Sequence, residues 1–306
     1  MNRKVGWRIA GLATVVLLAV AGLGASAGHS ARMGGSYAAA SGTLVDGTTD
    51  SVTNLDPAGE YDYGSFTATL PIFEGLLTAA PGPKIVFSLA THCSFRGATV
   101  YTCALRKGVK FHNGDRMTSA DVKWSFNRVK RIKDSSGIYT LLDNLASVTT
   151  KGAYSVTFRL KKPQSSWPLV LSGSNCCFIV DRKVYPADRL QPNTSPQVGT
   201  GPYQLVKYTP GQQAVYKAFK GYWGPKAKNS QLIIRYYSKS STMKLALEQS
   251  QIDMAFRDFT PTELASLGST SGITVHRGPG VVIRYLVLNV TRPPTNNPAV
   301  RKAIAY

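Results

Sequence analysis

The sequence predicts an α/β fold, and three observations support that prediction. Residues 101–128 have the order of a strand, a tight polar turn and a helix, with Asn113-Gly114 supplying the positive φ that the turn needs. Apolar and polar residues alternate over 154–160, which is typical of a half-buried strand. Strand, helix and strand patterns follow one another over 232–256. With 43% hydrophobic residues, the 306-residue chain can bury the core of one large domain or two.

The N-terminus has the design of an export signal. Basic residues precede an apolar run over residues 9–23, and the Ala-Ser-Ala at 25–27 fits the small-residue rule for cleavage. We therefore expect residues 1–27 to be a signal peptide and 28–41, which are rich in Gly, Ala and Ser, to be a flexible leader. The alternative is an uncleaved membrane anchor, for which the apolar run is barely long enough. No cysteine precedes Cys93, so we expect no lipid anchor at the mature N-terminus.

The charge balance is strongly basic, with 36 Lys and Arg against 16 Asp and Glu and a net charge of +20. Such an excess suits nucleic acid or an anionic envelope surface. The basic residues are scattered, however, and no nucleic-acid-binding motif is present. We expect a diffuse basic surface and no nucleic-acid partner.

The first half of the mature region alternates between strands and helices. A strand is predicted over residues 42–47, a helix over 66–77 and antiparallel strands over 84–106. The next helix, over 119–133, begins at a Thr-x-x-Asp capping signal and carries apolar residues at helical spacing. Residues 138–148 are predicted to be a second helical or loop segment.

The four cysteines can form disulfides if the chain is exported. Cys93 and Cys103 flank a predicted hairpin turn, so we expect a bridge between them that stabilises the fold by roughly 2–3 kcal/mol. The adjacent Cys176 and Cys177 can form a vicinal disulfide, pair with cysteines beyond this chain or stay free. They do not predict a metal site, because no second pair lies at ligand spacing.

The second half contains a tight Gly-Thr-Gly-Pro-Tyr at 199–203 and a Pro-Gly hairpin at 210–211. The Gly-Thr-Gly is not a phosphate loop, because no Gly-Lys-Ser/Thr follows it. Thr260 and Glu263 supply a helix-start signal around Pro261. The strands predicted in this half cover 205–208, 213–219, 232–237, 252–256, 273–276 and 281–289, and helices are predicted over 241–249 and from 297.

Four ordered segments resemble the bacterial extracellular solute-binding proteins, family 5, the peptide- and nickel-type receptors of ABC importers. Residues 105–128 match the family pattern LR-x-G-V-x-F-x-[DN]-G, T-[AS]-x-D-V and S-[FL]-x-R, here LRKGVKFHNG, TSADV and SFNR. The other segments are Leu55-Asp56-Pro57 followed by FEGL at 73–76, GTGPY at 199–203 followed by YWG at 222–224, and VRKAIA at 300–305.

The resemblance implies a periplasmic-binding-protein-like, two-lobe α/β fold of type II that encloses its solute between the lobes. It assigns residues 42–79 and 190–280 to a discontinuous first lobe, 80–189 to an inserted subdomain and 281–306 to the start of the second lobe. The chain stops inside a predicted helix without a capping signal. We therefore expect a C-terminally truncated form, in which the first lobe and its subdomain are largely present.

The resemblance also implies that two loops line the solute cleft, one after Leu-Asp-Pro and one after the strand predicted at 252–256. The ligand-binding candidates are Tyr61, Asp62, Tyr63, Phe256, Arg257 and Asp258. Arg257 can pair with a ligand carboxylate or with the neighbouring Asp258. No catalytic residue, metal ligand or cofactor is predicted.

The function implied by the resemblance is that of a receptor and not an enzyme. An exported monomer, periplasmic or at the cell surface, would capture di- or oligopeptides and deliver them to a membrane permease, and its basic charge can favour anionic peptides. A nickel or other small-solute receptor and a membrane-anchored sensor are the alternatives; for nickel, the mature region offers only His92, His112 and His276 in dissimilar contexts. A secreted hydrolase would need a nucleophile beside a histidine base, and no G-x-S-x-G occurs.

Overall fold

The structure is a computed structural model that describes residues 42–80, 84–172, 177–278 and 286–305. The expected signal peptide and leader, Cys176 and residues 281–285 of an expected strand lie outside the described residues. The strands are β1 (Thr43–Thr48), β2 (Leu77–Ala80), β3 (Lys84–Phe87), β4 (Ala90–Phe95), β5 (Val100–Leu105), β6 (Leu145–Thr150), β7 (Ser155–Leu160), β8 (Tyr203–Thr209), β9 (Gln213–Ala218), β10 (Gln231–Tyr236) and β11 (Met254–Ala255). The helices are α1 (Tyr63–Thr69), α2 (Ser119–Ile132), α3 (Trp167–Ser172), α4 (Ser240–Glu248), α5 (Pro261–Gly268) and α6 (Pro298–Ala305).

A five-stranded sheet has the strand order β11-β1-β10-β9-β8. β1 pairs in parallel with β10 on one side and with β11 on the other, so Asp46 lies opposite both Ile234 and Met254. β9 pairs antiparallel with β10 and with β8. Gly211 adopts a φ of 66° between β8 and β9, a conformation that favours glycine over residues with a Cβ. The N-terminal strand is therefore held between strands that come from the far end of the described chain.

A second sheet is antiparallel and four-stranded, in the order β4-β5-β7-β6, and β2 and β3 form a separate antiparallel pair. Cys93 of β4 lies opposite Cys103 of β5, and the expected disulfide between them is present. Cys177 is also disulfide-bonded, which excludes one of the three alternatives, a free thiol at this position. Both sheets contribute to one buried core, which extends from Phe158 to Tyr216.

α2 packs against β6 and β7 and begins where the capping signal predicts. The Asp121 carboxylate accepts hydrogen bonds from the Thr118 backbone N–H at 2.8 Å and from the Thr118 hydroxyl at 2.8 Å. Val122 and Phe126 are buried, and the Phe126 ring meets the Phe158 ring of β7 edge-on, with 4.9 Å between centroids. The predicted strand–turn–helix unit is confirmed.

The helix expected over residues 66–77 is wrong in its extent. α1 covers Tyr63–Thr69, and Leu70 caps it directly before Pro71. Leu70 still has helical backbone angles, but Pro71 has no backbone N–H to continue the helical hydrogen bonds and its ring clashes with the preceding turn, so the helix ends early. Leu77 instead begins β2, which pairs with β3.

Two further expectations are also corrected. The segment at 138–148 forms one 3-10 turn, Tyr139–Leu142, and then β6, which adds to the edge of the four-stranded sheet. Leu145 and Val148 are buried there, and pairing with β7 overrides the weak helical pattern. Residues 273–276 form no strand, because no described strand pairs with them.

Among the helices that the structure describes, none combines the length and the apolar character needed to cross a membrane.

Candidate functional site

The parallel pairing of β1 with β10 and β11 defines the candidate site. Parallel strands place their carboxyl ends at one edge of the sheet, and ligands of open α/β sheets bind outside such an edge. Asp50 follows β1 there, and Phe256 and Arg257 follow β11. The N-terminus of α1 reaches the same place, because Tyr63 stacks on Phe256. We call this the carboxyl edge, made of Asp46, Asp50, Tyr63, Phe256, Arg257 and Asp258.

Two aromatic rings are exposed side by side at the carboxyl edge. The ring centroids of Tyr63 and Phe256 lie 6.1 Å apart, and the rings are inclined by 28°. Tyr63 is 38% exposed and Phe256 is 56% exposed, although rings in such contact usually lie in a core. Tyr61 is exposed nearby in the sequence. The structure thus brings together Tyr63 and Phe256, which the sequence placed 193 residues apart.

Arg257 makes several contacts within the chain. Its Nε donates to Asp50 Oδ2 at 3.3 Å, its Nη2 donates to Asp50 Oδ1, and its Nε lies 3.5 Å from Asp258 Oδ1. The guanidinium carbon lies 4.2 Å from the centroid of the Tyr63 ring, a cation–π contact. Arg257 and Asp258 have φ values of 56° and 67°, in the left-handed region. The principal partner of Arg257 is Asp50, which was not among the candidates predicted from the sequence.

Asp62 caps α1. Its carboxylate accepts a hydrogen bond from the Ser65 backbone N–H at 2.7 Å and another from the Thr53 hydroxyl. Both bonds hold the start of the helix in place, which in turn positions Tyr63. Its position in the structure therefore favours a positioning role for Asp62 over direct contact with a ligand.

Two oxygens at the carboxyl edge, Asp46 Oδ1 and Asp258 Oδ2, are buried without a hydrogen-bond partner in the described part of the chain, and so is the hydroxyl oxygen of Tyr236 at the end of β10. Burial raises the pKa of Asp46 to about 6, although a hydrogen bond from the Gly47 backbone opposes that shift. Burial also raises the pKa of Tyr63, against the effect of the nearby Arg257 charge. Buried oxygens without a hydrogen-bond partner carry an unoffset desolvation cost, which a donor would remove if the side chains turned toward it.

A buried ion pair lies away from this edge and was missed by sequence reasoning. Arg128 of α2 forms a two-pronged contact with Asp56, and the Nη1–Oδ1 distance is 2.7 Å. The backbone N–H groups of Ala58 and Gln191 also donate to the Asp56 carboxylate. Glu60 is fully buried nearby, and burial raises its pKa well above the usual value, with a smaller contribution from the Asp56 charge. The sequence did contain a signal for this pair, because Asp56 lies in the Leu-Asp-Pro motif and Arg128 in the Ser-Phe-Asn-Arg motif of the family resemblance.

Glu74 of the FEGL motif joins two further motifs, GTGPY and YWG. Its carboxylate accepts hydrogen bonds from the Thr200 hydroxyl at 2.8 Å, the Trp223 indole N–H at 2.9 Å and the Tyr222 hydroxyl at 3.0 Å. Burial nevertheless raises the pKa of Glu74, against the effect of these bonds. The motif residues therefore hold distant parts of the fold together.

His112 also has a structural environment. Its Nε2 lies 2.9 Å from the Gly201 carbonyl oxygen, to which the neutral ring donates, and burial lowers the pKa of His112 to about 4. Throughout the described residues, no group of three or more His, Cys, Asp or Glu side chains is placed to hold a metal ion.

Comparison with known proteins covers most of the chain. The family model described as "Bacterial extracellular solute-binding proteins, family 5 Middle" matches residues 84–306. The chain is 30% identical over 261 residues to the glutathione-binding protein GsiB of Salmonella typhimurium, covering 83% of this chain and 49% of GsiB. It is 28% identical over 257 residues to GsiB of Escherichia coli O157:H7, with the same two coverages, 83% and 49%. The chain thus spans about half the length of the curated relatives it matches.

Solved structures give the fold. The periplasmic binding protein DppA of Helicobacter pylori, in complex with the peptide STSA, aligns with a TM-score of 0.77 and 25% identity, over 86% of this chain and 56% of DppA. NikZ of Campylobacter jejuni, in complex with Ni(L-His), aligns with a TM-score of 0.77 and 24% identity, over 86% of this chain and 52% of NikZ. These likenesses confirm the predicted two-lobe α/β fold of type II, of which this chain represents about half.

Proposed function

Because the chain belongs to the bacterial extracellular solute-binding proteins, family 5, we propose that it captures a small solute, with peptides as the first candidate, and delivers it to an ABC permease. In this proposal the protein is an exported monomeric receptor that performs no catalysis. The printed names of similar proteins support solute capture, since they mention glutathione, a peptide and nickel–histidine. They also show that the class of solute differs among similar proteins.

The observation that carries the proposal is the exposed pair of rings, Tyr63 and Phe256, at the carboxyl ends of parallel strands. Ligand sites in α/β proteins combine such apolar faces with a few polar groups that fix orientation. Asp46, Asp258 and the Arg257 contacts supply the polar groups here. A peptide offers both an apolar surface for the rings and charged or polar groups for the carboxylates.

Capture would proceed by closure of two lobes around the solute. The open form dominates without solute, and a solute that contacts both lobes shifts the population toward the closed form. A micromolar dissociation constant corresponds to about −8 kcal/mol, and a millimolar one to about −4 kcal/mol. Since this chain spans about half the length of its relatives, we expect it alone to bind in the weaker range.

Solution NMR tests this proposal, because chemical-shift changes detect millimolar binding. The isotope-labelled chain would be titrated with the dipeptide Met-Leu, with glutathione and with the nickel–histidine complex. We expect at least one of these to move the signals of Tyr63, Phe256 and Arg257 in a saturable way. Shifts confined to other parts of the chain, or no shift with any probe, would contradict the proposed site.

A pair of variants assigns the effect to the rings. Phe256→Ala removes one of the two stacked faces, and the expected result is a several-fold weaker response to the active solute. Leu169→Ala is the matched control, because Leu169 on α3 is equally apolar and is 60% exposed, outside the carboxyl edge. An equal loss in the two variants would mean that the rings are not part of the site.

A further inference from the structure

We propose that the carboxyl edge selects positively charged solutes, such as peptides with a basic side chain, through the carboxylates of Asp46, Asp50 and Asp258. This inference rests on the proposed function and names the solute class of the same site. It runs against the net charge of +20, which favours anionic partners for the protein as a whole.

The local charge balance carries the first step. Among the described residues that make up the carboxyl edge, Asp46, Asp50 and Asp258 carry carboxylates and Arg257 carries a guanidinium, which pairs with Asp50 and Asp258, while Asp46 lies opposite Met254 of β11. Three carboxylates against one guanidinium leave two negative charges in excess at the aromatic pair. Charges within a few ångströms dominate at a half-buried site, while those spread over the rest of the surface are screened by salt over about 8–10 Å.

The second step is that the one cation of the edge is already engaged. Arg257 makes a two-pronged contact with Asp50, lies 3.5 Å from Asp258 and stacks on Tyr63. An incoming carboxylate would have to displace Asp50 and would then face the remaining aspartates. That repulsion discriminates against anionic solutes, whatever contacts they make elsewhere.

The third step concerns groups that have no partner. In the part of the chain that the structure describes, Asp46 Oδ1 and Asp258 Oδ2 are buried and accept no hydrogen bond. An ammonium or guanidinium group carries donors and no acceptor, so it can satisfy such oxygens once the carboxylates turn toward the solute, whereas an anion cannot. The Phe256 ring, 56% exposed, adds an open aromatic face on which a cation is attracted.

Three tripeptides with identical termini test the inference: Ala-Lys-Ala, Ala-Gln-Ala and Ala-Glu-Ala. Each would be titrated into the full chain, and dissociation constants would be taken from the shifts of the Phe256 and Arg257 signals. We expect Ala-Lys-Ala to bind about tenfold more tightly than Ala-Glu-Ala, with Ala-Gln-Ala between them. Higher salt should narrow that ratio, since screening weakens the charge term.

Equal or tighter binding of Ala-Glu-Ala would overturn the inference while leaving the proposed function intact. It would mean that the solute carboxylate displaces Asp50 from Arg257. Failure of all three peptides to bind at the edge would instead overturn peptide capture, and with it this inference. The two failures are therefore distinguishable in one experiment.

Asp258→Asn assigns the selectivity to a residue. Asparagine tolerates the left-handed φ of 67° at this position, so the variant removes the charge with little strain. The ratio between the lysine and glutamate peptides should fall several-fold in Asp258→Asn. It should be unchanged in the control Asp188→Asn, because Asp188 is 70% exposed and pairs with Arg189, outside the edge. If Asp258→Asn has the melting temperature of the wild type and the same ratio of dissociation constants for the two peptides, the role of Asp258 is overturned. If Asp258→Asn does not fold, Asp46→Asn repeats the test.

Discussion

Two aspartate–arginine pairs in this chain have the same chemistry and opposite surroundings. In the first pair the side chains of Asp56 and Arg128 are 0% and 2% exposed, and in the second those of Asp50 and Arg257 are 16% and 38% exposed. The buried pair joins two segments that carry the family resemblance, and the exposed pair lies at the carboxyl edge. The comparison separates a pair that holds the interior of the fold together from a pair at the proposed solute site.

The surroundings also decide what each pair contributes to stability. A buried pair is stable only if further hydrogen bonds offset the loss of water, and Arg128 supplies them by donating to the carbonyl oxygens of Pro186 and Arg189. The second pair is partly exposed, mainly through Arg257, and keeps part of its hydration, so forming it changes the free energy less than forming the buried pair. Breaking the two pairs should therefore have very different costs.

The largest expected effect comes from Arg128→Ala. The substitution leaves the Asp56 carboxylate buried without its counter-charge, which should lower the free energy of unfolding by about 3–5 kcal/mol. Denaturant titration followed by circular dichroism measures the loss. Arg182→Ala is the control, because Arg182 pairs with Asp121 at 3.5 Å while its own side chain is 48% exposed. A loss below about 1 kcal/mol for Arg128→Ala would remove the contrast between the pairs.

The next effect concerns the covalent link in the four-stranded sheet. Replacing Cys93 and Cys103 by serine frees a short loop in the unfolded chain and should lower the free energy of unfolding by about 2–3 kcal/mol. The same titration provides the value for comparison with Arg128→Ala. Reducing the wild-type protein should lower its free energy of unfolding at least as much, because the disulfide of Cys177 is reduced as well. If the double variant matched the oxidised wild type, the link would not stabilise this sheet.

Asp46→Asn, at the carboxyl edge, should raise the free energy of unfolding of the chain at neutral pH. Burial raises the pKa of Asp46 from 3.8 to about 6, so the folded chain holds a proton that the unfolded chain has lost between about pH 4 and pH 6. The stability contributed by this group is complete below about pH 4 and is lost as the pH rises through about 6. At pH 7 the variant should be more stable by about 1 kcal/mol, after allowance for partial exposure.

Thermal unfolding across a pH series checks the Asp46 prediction. The wild type should lose stability between about pH 4 and pH 6 relative to the variant, and the two curves should run parallel outside that window. Curves that stay parallel throughout would show that Asp46 has an ordinary pKa. Such a result would also weaken the contrast between the buried Asp56–Arg128 pair and the carboxyl edge, since the Asp46 carboxylate would then not be destabilised by burial.

The smallest expected effect is that of Arg257→Gln on stability. Exposed ion pairs contribute about 0–1 kcal/mol, and the loss should shrink further in high salt. Denaturant titrations at low and high ionic strength measure the loss in free energy of unfolding for Arg257→Gln, and the same titrations of Arg128→Ala provide the comparison. A salt-independent loss as large as that of Arg128→Ala would mean that the exposed pair is also structural.

Much of the fold could be predicted from local patterns. The Thr118–Asp121 cap, the hairpin that brings Cys93 opposite Cys103 and the Thr260–Glu263 cap all involve residues close in sequence. The errors at 66–77 and at 138–148 arose where a proline or a neighbouring strand decided the outcome. Local periodicity contains no information on either pairing partners or sheet edges.

The candidate site could be predicted only in part. The resemblance selected Tyr63, Phe256 and Arg257, and the structure brings these three into contact. It did not select Asp50, which is 207 residues from Arg257 in sequence, or the buried oxygen of Asp46. Those residues belong to the site only because β1 pairs with β11, and no segment of the chain read alone reveals that pairing.

The position of β1 between β11 and β10 also affects the order in which the chain can fold. Thr43 of β1 lies beside Gln231 of β10, 188 residues later, so the first strand has no partner until most of the chain is available. Closing so large a loop is slow compared with forming local hairpins, because its entropy is lost before the contacts form. The four-stranded sheet, built from nearby segments, can therefore form early, while the five-stranded sheet is completed late. In a chain with this topology the carboxyl edge is therefore among the last parts to form, because it needs β1 and β11 to pair.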